Sequence, residues 1–191
     1  MHDSRWDVRA FDLLAPLYDL FMPPADDVDV RKGFYCADRD VERIIDVGGG
    51  SGRAASVVGA TVVDPARGMC ERARDRGLET VRGAAEALPF ADGSVDAVLI
   101  VDALHHFDDR ERALAEAARV LEPGGVLVVR EFDRATRRGR ALAAAERVVG
   151  FDSAFYTAEE LIAAIESVGL DPRPVDYGFG MSIVGVREPS A

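Results

Sequence analysis

The sequence predicts an α/β protein in which a mostly parallel sheet is covered by helices on both faces. Three observations predict it. From residue 42 onward, short runs of Val, Ile and Leu alternate with stretches of helical periodicity. The runs are almost continuously apolar, as expected of strands buried on both faces. The first run, RIIDV, feeds directly into Gly48-Gly49-Gly50-Ser51-Gly52, a glycine-rich turn leading to a helix.

Taken in order, residues 5–21 carry apolar positions at helical spacing, and Pro23-Pro24 stop that segment. Residues 25–40 are acidic and patternless, a loop with some helix. Strands read at 43–47, 61–63, 79–81, 95–101 and 125–130, and helices near 52–58, 66–76, 109–121, 135–149 and 157–168. The helix at 109–121 starts after Asp108 or Asp109 and stops before Pro123-Gly124-Gly125. The helix at 157–168 opens on a capping box, Thr157 with Glu160, and ends at Gly169, a left-handed cap. Residues 172–187 read as two extended pieces turning around Tyr177-Gly178-Phe179-Gly180, an antiparallel hairpin at the sheet edge. The expected architecture is a Rossmann-like three-layer sandwich with seven strands. The 191 residues form one domain: a helical lid at 1–40, a ligand-binding core at 41–131, and substrate-side helices and edge strands at 132–191.

Composition excludes several function classes. The chain is 48% hydrophobic and 30% charged, with no apolar run long enough to cross a bilayer and no secretory leader in MHDSRWDVRAFD. A cytoplasmic enzyme is the expectation. Cys36 and Cys70 are too few for a disulfide framework, and no closely spaced Cys/His pattern suggests a metal site. Net charge is −11, and Lys32 is the one lysine among 23 basic residues. A carboxylate-rich, lysine-poor surface suits a salt-rich cell interior, where screening weakens self-repulsion. It also argues against nucleic acid as a partner, because phosphate binding needs a basic face.

The glycine turn carries the chemistry. A turn of this kind lets backbone amides approach a ligand closely, and Asp64, closing the next strand, lies where a carboxylate can accept both ribose hydroxyls of an adenosine. The spacing is Gly48-x-Gly50-x-Gly52, and Arg53 occupies the position of a dinucleotide fingerprint's third glycine. Asp46, beneath the turn, would repel a pyrophosphate and attract an amino group. A nucleoside with an amino-acid tail fits these residues better than a dinucleotide.

IIDVGGGSGR, VVDPARGM, GAAEALPFADGSVDAVLIVDALHHF and RALAEAARVLEPGGVLVV resemble, in order and spacing, the successive motifs of class I S-adenosylmethionine (SAM)-dependent methyltransferases. The group containing the ubiquinone and menaquinone C-methyltransferases is the most similar. The resemblance spans roughly 42–131 and extends weakly to FDLLAPLYD and YTAEELIAAIESVGL. It implies SAM as cofactor and a small-molecule methyl acceptor. It further implies that Gly48, Gly50, Ser51 and Gly52 wrap the methionine end, with Asp46 near its amino group. Asp64 would hold the ribose, Pro65 and Met69 flank the adenosine, and Ala84 and Ala85 touch the adenine. Val101 and Asp102 would face the methionine part, and Tyr18 would close over it. His105, just past the fourth strand, Glu131, ending the fifth, and Tyr18 are the candidate catalytic groups, histidine being the natural base near neutral pH. His105-His106 can equally be a packing and capping element. Arg137, Arg138 and Arg140 form a basic cluster, read as a solvated helix face or a contact for an anionic substrate.

Two departures stand out. Ala84 replaces the Asp or Asn that many members place against the adenine amine, and the stretch from Gly52 to Asp64 is about one helical turn short. No Pro-Pro-Tyr element follows the fourth strand, which argues against amino-methylation of bases. A phenolic, quinone-like or isoprenoid acceptor, methylated on carbon or oxygen, is the expectation. A nicotinamide-dependent oxidoreductase and a non-catalytic SAM-binding protein are the alternatives.

Overall fold

The computed structural model describes residues 27–149 and 153–189. The expected N-terminal helix at 5–21, and Tyr18 with it, lies outside the described residues.

The elements run α1 (Asp27–Phe34), β1 (Ile44–Val47), α2 (Ala55–Val58), β2 (Thr61–Asp64), α3 (Arg67–Asp75), β3 (Thr80–Arg82), β4 (Val95–Val101), a 3-10 turn (Leu104–His106), α4 (Arg110–Val120), β5 (Leu121–Phe132), α5 (Arg137–Val149), α6 (Ala158–Ser167), β6 (Asp171–Asp176) and β7 (Gly180–Val186). Seven strands form one sheet in the order β3-β2-β1-β4-β5-β7-β6, with β7 antiparallel to β5 and to β6. The remaining pairings are parallel. Strand order reverses between β1 and β4, and ligands of open α/β sheets bind at the carboxyl ends of strands flanking such a reversal.

Burial explains why the strands read as unbroken apolar runs. On β4, Val98 and Ile100 point into one core cluster while Ala97 and Leu99 point into the other, and all four are fully buried. β5 repeats the pattern with Leu127 and Val129 against Val126 and Val128. The edge strand β6 carries Pro172 and Pro174, which an interior strand would not tolerate.

The caps follow their residues. Thr157 Oγ1 accepts from Glu160 N at 3.2 Å while Glu160 Oε2 accepts from Thr157 N at 2.8 Å, a complete capping box. Asp109 caps α4 by accepting from Arg112 N at 2.9 Å, and Gly169 takes φ +80° after α6. Two boundaries differ from expectation. The helix expected at 52–58, α2, is only Ala55–Val58, because the turn through Gly52 consumes its opening residues. β5 begins at Leu121, ahead of Pro123-Gly124-Gly125, because Leu121 already pairs with Val95 before a register shift.

Candidate active site

The turn after β1 is built around three left-handed glycines, Gly48, Gly50 and Gly52, with φ of +70°, +55° and +81°. Two of them are also closed by contact. A Cβ on Gly48 would lie 2.8 Å from Ala103 Cβ, and one on Gly52 would lie 2.3 Å from Leu78 Cδ1. Gly50 is open by contrast, with only Met69 Sδ near, at 3.8 Å. The turn therefore offers bare backbone toward Met69, as a closely approached ligand requires.

Two carboxylates support the turn. Asp46 is 1% exposed, and its Oδ2 accepts from Ala55 N at 3.1 Å. Its Oδ1 is buried with no hydrogen-bond partner among the described residues. Burial, opposed by the Ala55 amide, pushes the Asp46 carboxyl up to about 7. Asp64 binds across the turn, with Oδ2 accepting from Gly50 N at 2.9 Å and Oδ1 from Ala66 N at 2.8 Å. Met69 and Ala85 are buried nearby, whereas Ala84 is exposed.

Asp102, at the end of β4, is the one described non-glycine residue with positive φ, +52°. Its carboxylate lies 3.1 Å from Arg130 Nη1 and 3.8 Å from Arg53 Nη2. Burial holds this carboxyl above its ordinary value, against the opposing charge of Arg130. Arg53 thus ties the glycine turn to the end of β4, and Arg130 ties β5 to the same point.

The 3-10 turn carries a second polar cluster. His105 is 4% exposed and Glu131 1%. His105 Nδ1 is 2.7 Å from Glu131 Oε2 and 3.0 Å from Oε1, and Leu104 N donates to Oε1 at 3.2 Å. Burial disfavours a charged ring, but the Glu131 carboxylate and its hydrogen bond outweigh it, so His105 sits above its ordinary value. Phe155 stacks on His105 with centroids 4.3 Å apart, and Ala154 N donates to the His105 carbonyl at 3.1 Å. His105 Nε2 faces Glu146 Oε1 of α5 at 3.9 Å. His106 packs beside His105, with centroids 4.1 Å apart, and burial drives it down to about 2. Phe155 also lines an open groove of about 1180 Å³ between α5 and α6, together with Arg110, Arg134, Arg140, Arg147 and Tyr156.

Residues 45–129 match the family described as "Methyltransferase domain". Over 140 residues the chain is 41% identical to a demethylmenaquinone methyltransferase of Thermus thermophilus, covering 64% of each protein. It is 44% identical over 105 residues to a ubiquinone/menaquinone biosynthesis C-methyltransferase of Methylobacterium nodulans, covering 47% of this chain and 42% of that one. The fold matches a crystal structure from Thermotoga maritima, titled a SAM-dependent methyltransferase and possible histamine N-methyltransferase. There the TM-score is 0.74 and identity 29%, over 85% of this chain and 89% of that one. Over its core the chain is thus similar to class I SAM-dependent methyltransferases, and it shares their fold. It spans less than two thirds of the length of the curated relatives it matches.

The structure brings the glycine turn, Asp46, Asp64, Met69 and Asp102 together near the β1/β4 reversal. Class I methyltransferases use SAM, and the residues present fit it. Gly50 leaves open space beside Met69, and the buried, unpartnered Asp46 Oδ1 suits an ammonium donor. The structure adds that Asp64 already braces the turn through both carboxylate oxygens, so a ribose would share those oxygens with two backbone amides. Arg137 and Arg138 are exposed, and of that cluster only Arg140 lines the groove. Sequence reasoning missed Arg130, Phe155 and Glu146. Arg130 had a signal, a charge inside an apolar strand run, while Glu146 on an ordinary polar helix face had none.

Proposed function

We propose that this methyltransferase moves a methyl group from SAM to a small phenolic, quinone-like or isoprenoid acceptor, on carbon or oxygen. The observation that carries the reading is Asp46 Oδ1, without a hydrogen-bond partner among the described residues, beneath a turn whose Gly50 leaves backbone open to a ligand. Arg53 supports it against a dinucleotide, because its side chain spans from the third-glycine position to Asp102, where tight helix–strand packing behind a pyrophosphate would need no side chain. The quinone-directed names of the curated relatives support the acceptor class.

SAM supplies an activated methyl group when bound, so the protein contributes position, desolvation and proton handling. Asp46 would receive the amino group, Asp64 the ribose, and Ser51 with the glycine amides the carboxylate end. Pro65, Met69, Ala84, Ala85 and Val101 would border the adenosine and methionine parts, and Asp102, restrained by Arg53 and Arg130, would face the methionine part. On the acceptor side, Glu131 accepts the His105 Nδ1 proton and so leaves the Nε2 lone pair free to take a proton from an acceptor hydroxyl. Glu131 is a positioning residue here, its oxygens being held by His105 and Leu104.

The setting we infer is a salt-rich cytoplasm. The charge of −11 with a single lysine supports it, and no helix among the described residues is long and apolar enough to cross a membrane. The function is tested by incubating the protein and methyl-labelled SAM with an extract of its source cells and mass-analysing the products. A labelled small aromatic or isoprenoid product is expected. Label confined to unreacted SAM or its breakdown products contradicts the reading.

A further inference from the structure

We propose that His105, His106 and Glu146 form a binding site for one divalent transition-metal ion, with Glu131 holding His105 in the ligating orientation. The inference rests on reading this pocket as the acceptor side of a methyltransferase, and it deepens that reading.

The donors come from two elements, the 3-10 turn after β4 and the later turns of α5, and one ligand atom from each side chain lies within 4.8 Å of the others. Two imidazoles and one carboxylate suit zinc, cobalt, iron(II) or manganese, whereas magnesium and calcium prefer oxygen alone. Three protein donors leave coordination positions open for a further ligand. Glu131 completes the pattern, because metal-bound histidines commonly give their other ring nitrogen to a carboxylate, which fixes the tautomer and aims the ligating lone pair. Here that lone pair is on Nε2, and Nε2 faces Glu146.

The Glu146 geometry suits a bound cation. Its Oε1 stands 3.9 Å from His105 Nε2, beyond a hydrogen bond, and its Oε2 is buried with no hydrogen-bond partner among the described residues. Two carboxylates, Glu131 and Glu146, thus flank a single imidazole, and buried charge is held stably only when it is paired or bound to metal. An ion about 2.0–2.2 Å from each donor would draw the three atoms inward by on the order of 1 Å. Side-chain rotation of Glu146, which is 20% exposed, can supply that movement. The site was invisible in the sequence because its third ligand lies forty-odd residues beyond the histidine pair.

An ion seated there changes how the acceptor is prepared. The acceptor's hydroxyl oxygen binds an open position, its O–H bond breaks, the electron pair stays on oxygen, and the proton leaves to solvent. His105 Nε2 is then a ligand, and the ion takes over the task assigned to the bare imidazole. No oxidation state changes.

The test strips the full chain with EDTA and titrates it with cobalt(II), following visible absorption, with zinc(II) in parallel equilibrium dialysis. One ion per chain is expected. Glu146→Gln and, separately, His106→Gln should each weaken binding at least tenfold, with circular dichroism and S-adenosylhomocysteine binding unchanged as controls for folding. A chain that takes up neither ion, or variants that bind as tightly as the unaltered chain, overturns the proposal. Neither readout needs an acceptor or methyl transfer. A chain that binds no metal yet labels a product therefore sinks the metal site alone, and His105 remains the base.

Discussion

His105 Nδ1 lies 2.7 Å from Glu131 Oε2, with both side chains almost wholly buried, so an imidazole from the turn after β4 and a carboxylate from β5 form one buried pair. The pairing raises the His105 value, and the sign of its contribution to stability follows. That contribution is fully present below the unfolded value near 6.5 and is lost as pH rises through the raised folded value. Glu131→Gln removes the charge but keeps the shape. Burial is then opposed only by the charges of Glu146 and Asp102, so the His105 value falls and the stability gained at low pH shrinks. Proton NMR of the ring and urea midpoints of the EDTA-stripped chain, from about pH 5 to about pH 9, read both effects. An unchanged ring titration in the variant would show that Glu131 does not govern His105.

Asp46 gives the cofactor site its own pH signature. With its carboxyl raised to about 7, half of it is protonated near neutrality, and only the ionised form attracts the ammonium of the cofactor. Affinity for S-adenosylhomocysteine should therefore climb as pH rises through that range, with proton release on binding. Asp46→Asn should bind about tenfold or more weakly and lose the pH dependence. Titration calorimetry in two buffers of different ionisation enthalpy measures the released proton directly.

Gly48 and Gly50 separate packing from ligand approach. Both hold positive φ, so alanine at either strains the backbone by about 1–2 kcal/mol. Gly48→Ala also drives a methyl group into Ala103 and Phe107, and should lower the melting temperature further. Gly50→Ala meets no close atom among the described residues, so it should melt higher than Gly48→Ala while losing S-adenosylhomocysteine binding. Equal melting losses, or retained binding by Gly50→Ala, would place the ligand elsewhere.

The sheet was legible in the sequence because burial on both faces leaves apolar runs such as VDAVLIV unbroken, and the caps because Thr157, Glu160, Asp109 and Gly169 each act within a few residues. The glycine turn was legible for the same reason, its geometry being local. What the sequence hid depends on register and on packing between distant segments. Arg130 reaches Asp102 only because β4 and β5 pair Val101 with Arg130. Glu146 reaches His105 only because α5 packs its later turns over the 3-10 turn. The early start of β5 was hidden because Pro123-Gly124-Gly125 looks like a loop until Leu121 is seen pairing with Val95.

The central claim is that the turn after β1, braced by Asp46 and Asp64, holds an adenosyl amino acid. Calorimetric titration of the full chain at high salt with S-adenosylhomocysteine, and separately with NADH, tests it most directly. The account predicts saturable heat with one equivalent of S-adenosylhomocysteine and none with NADH. Heat from NADH alone, or from neither compound, contradicts it.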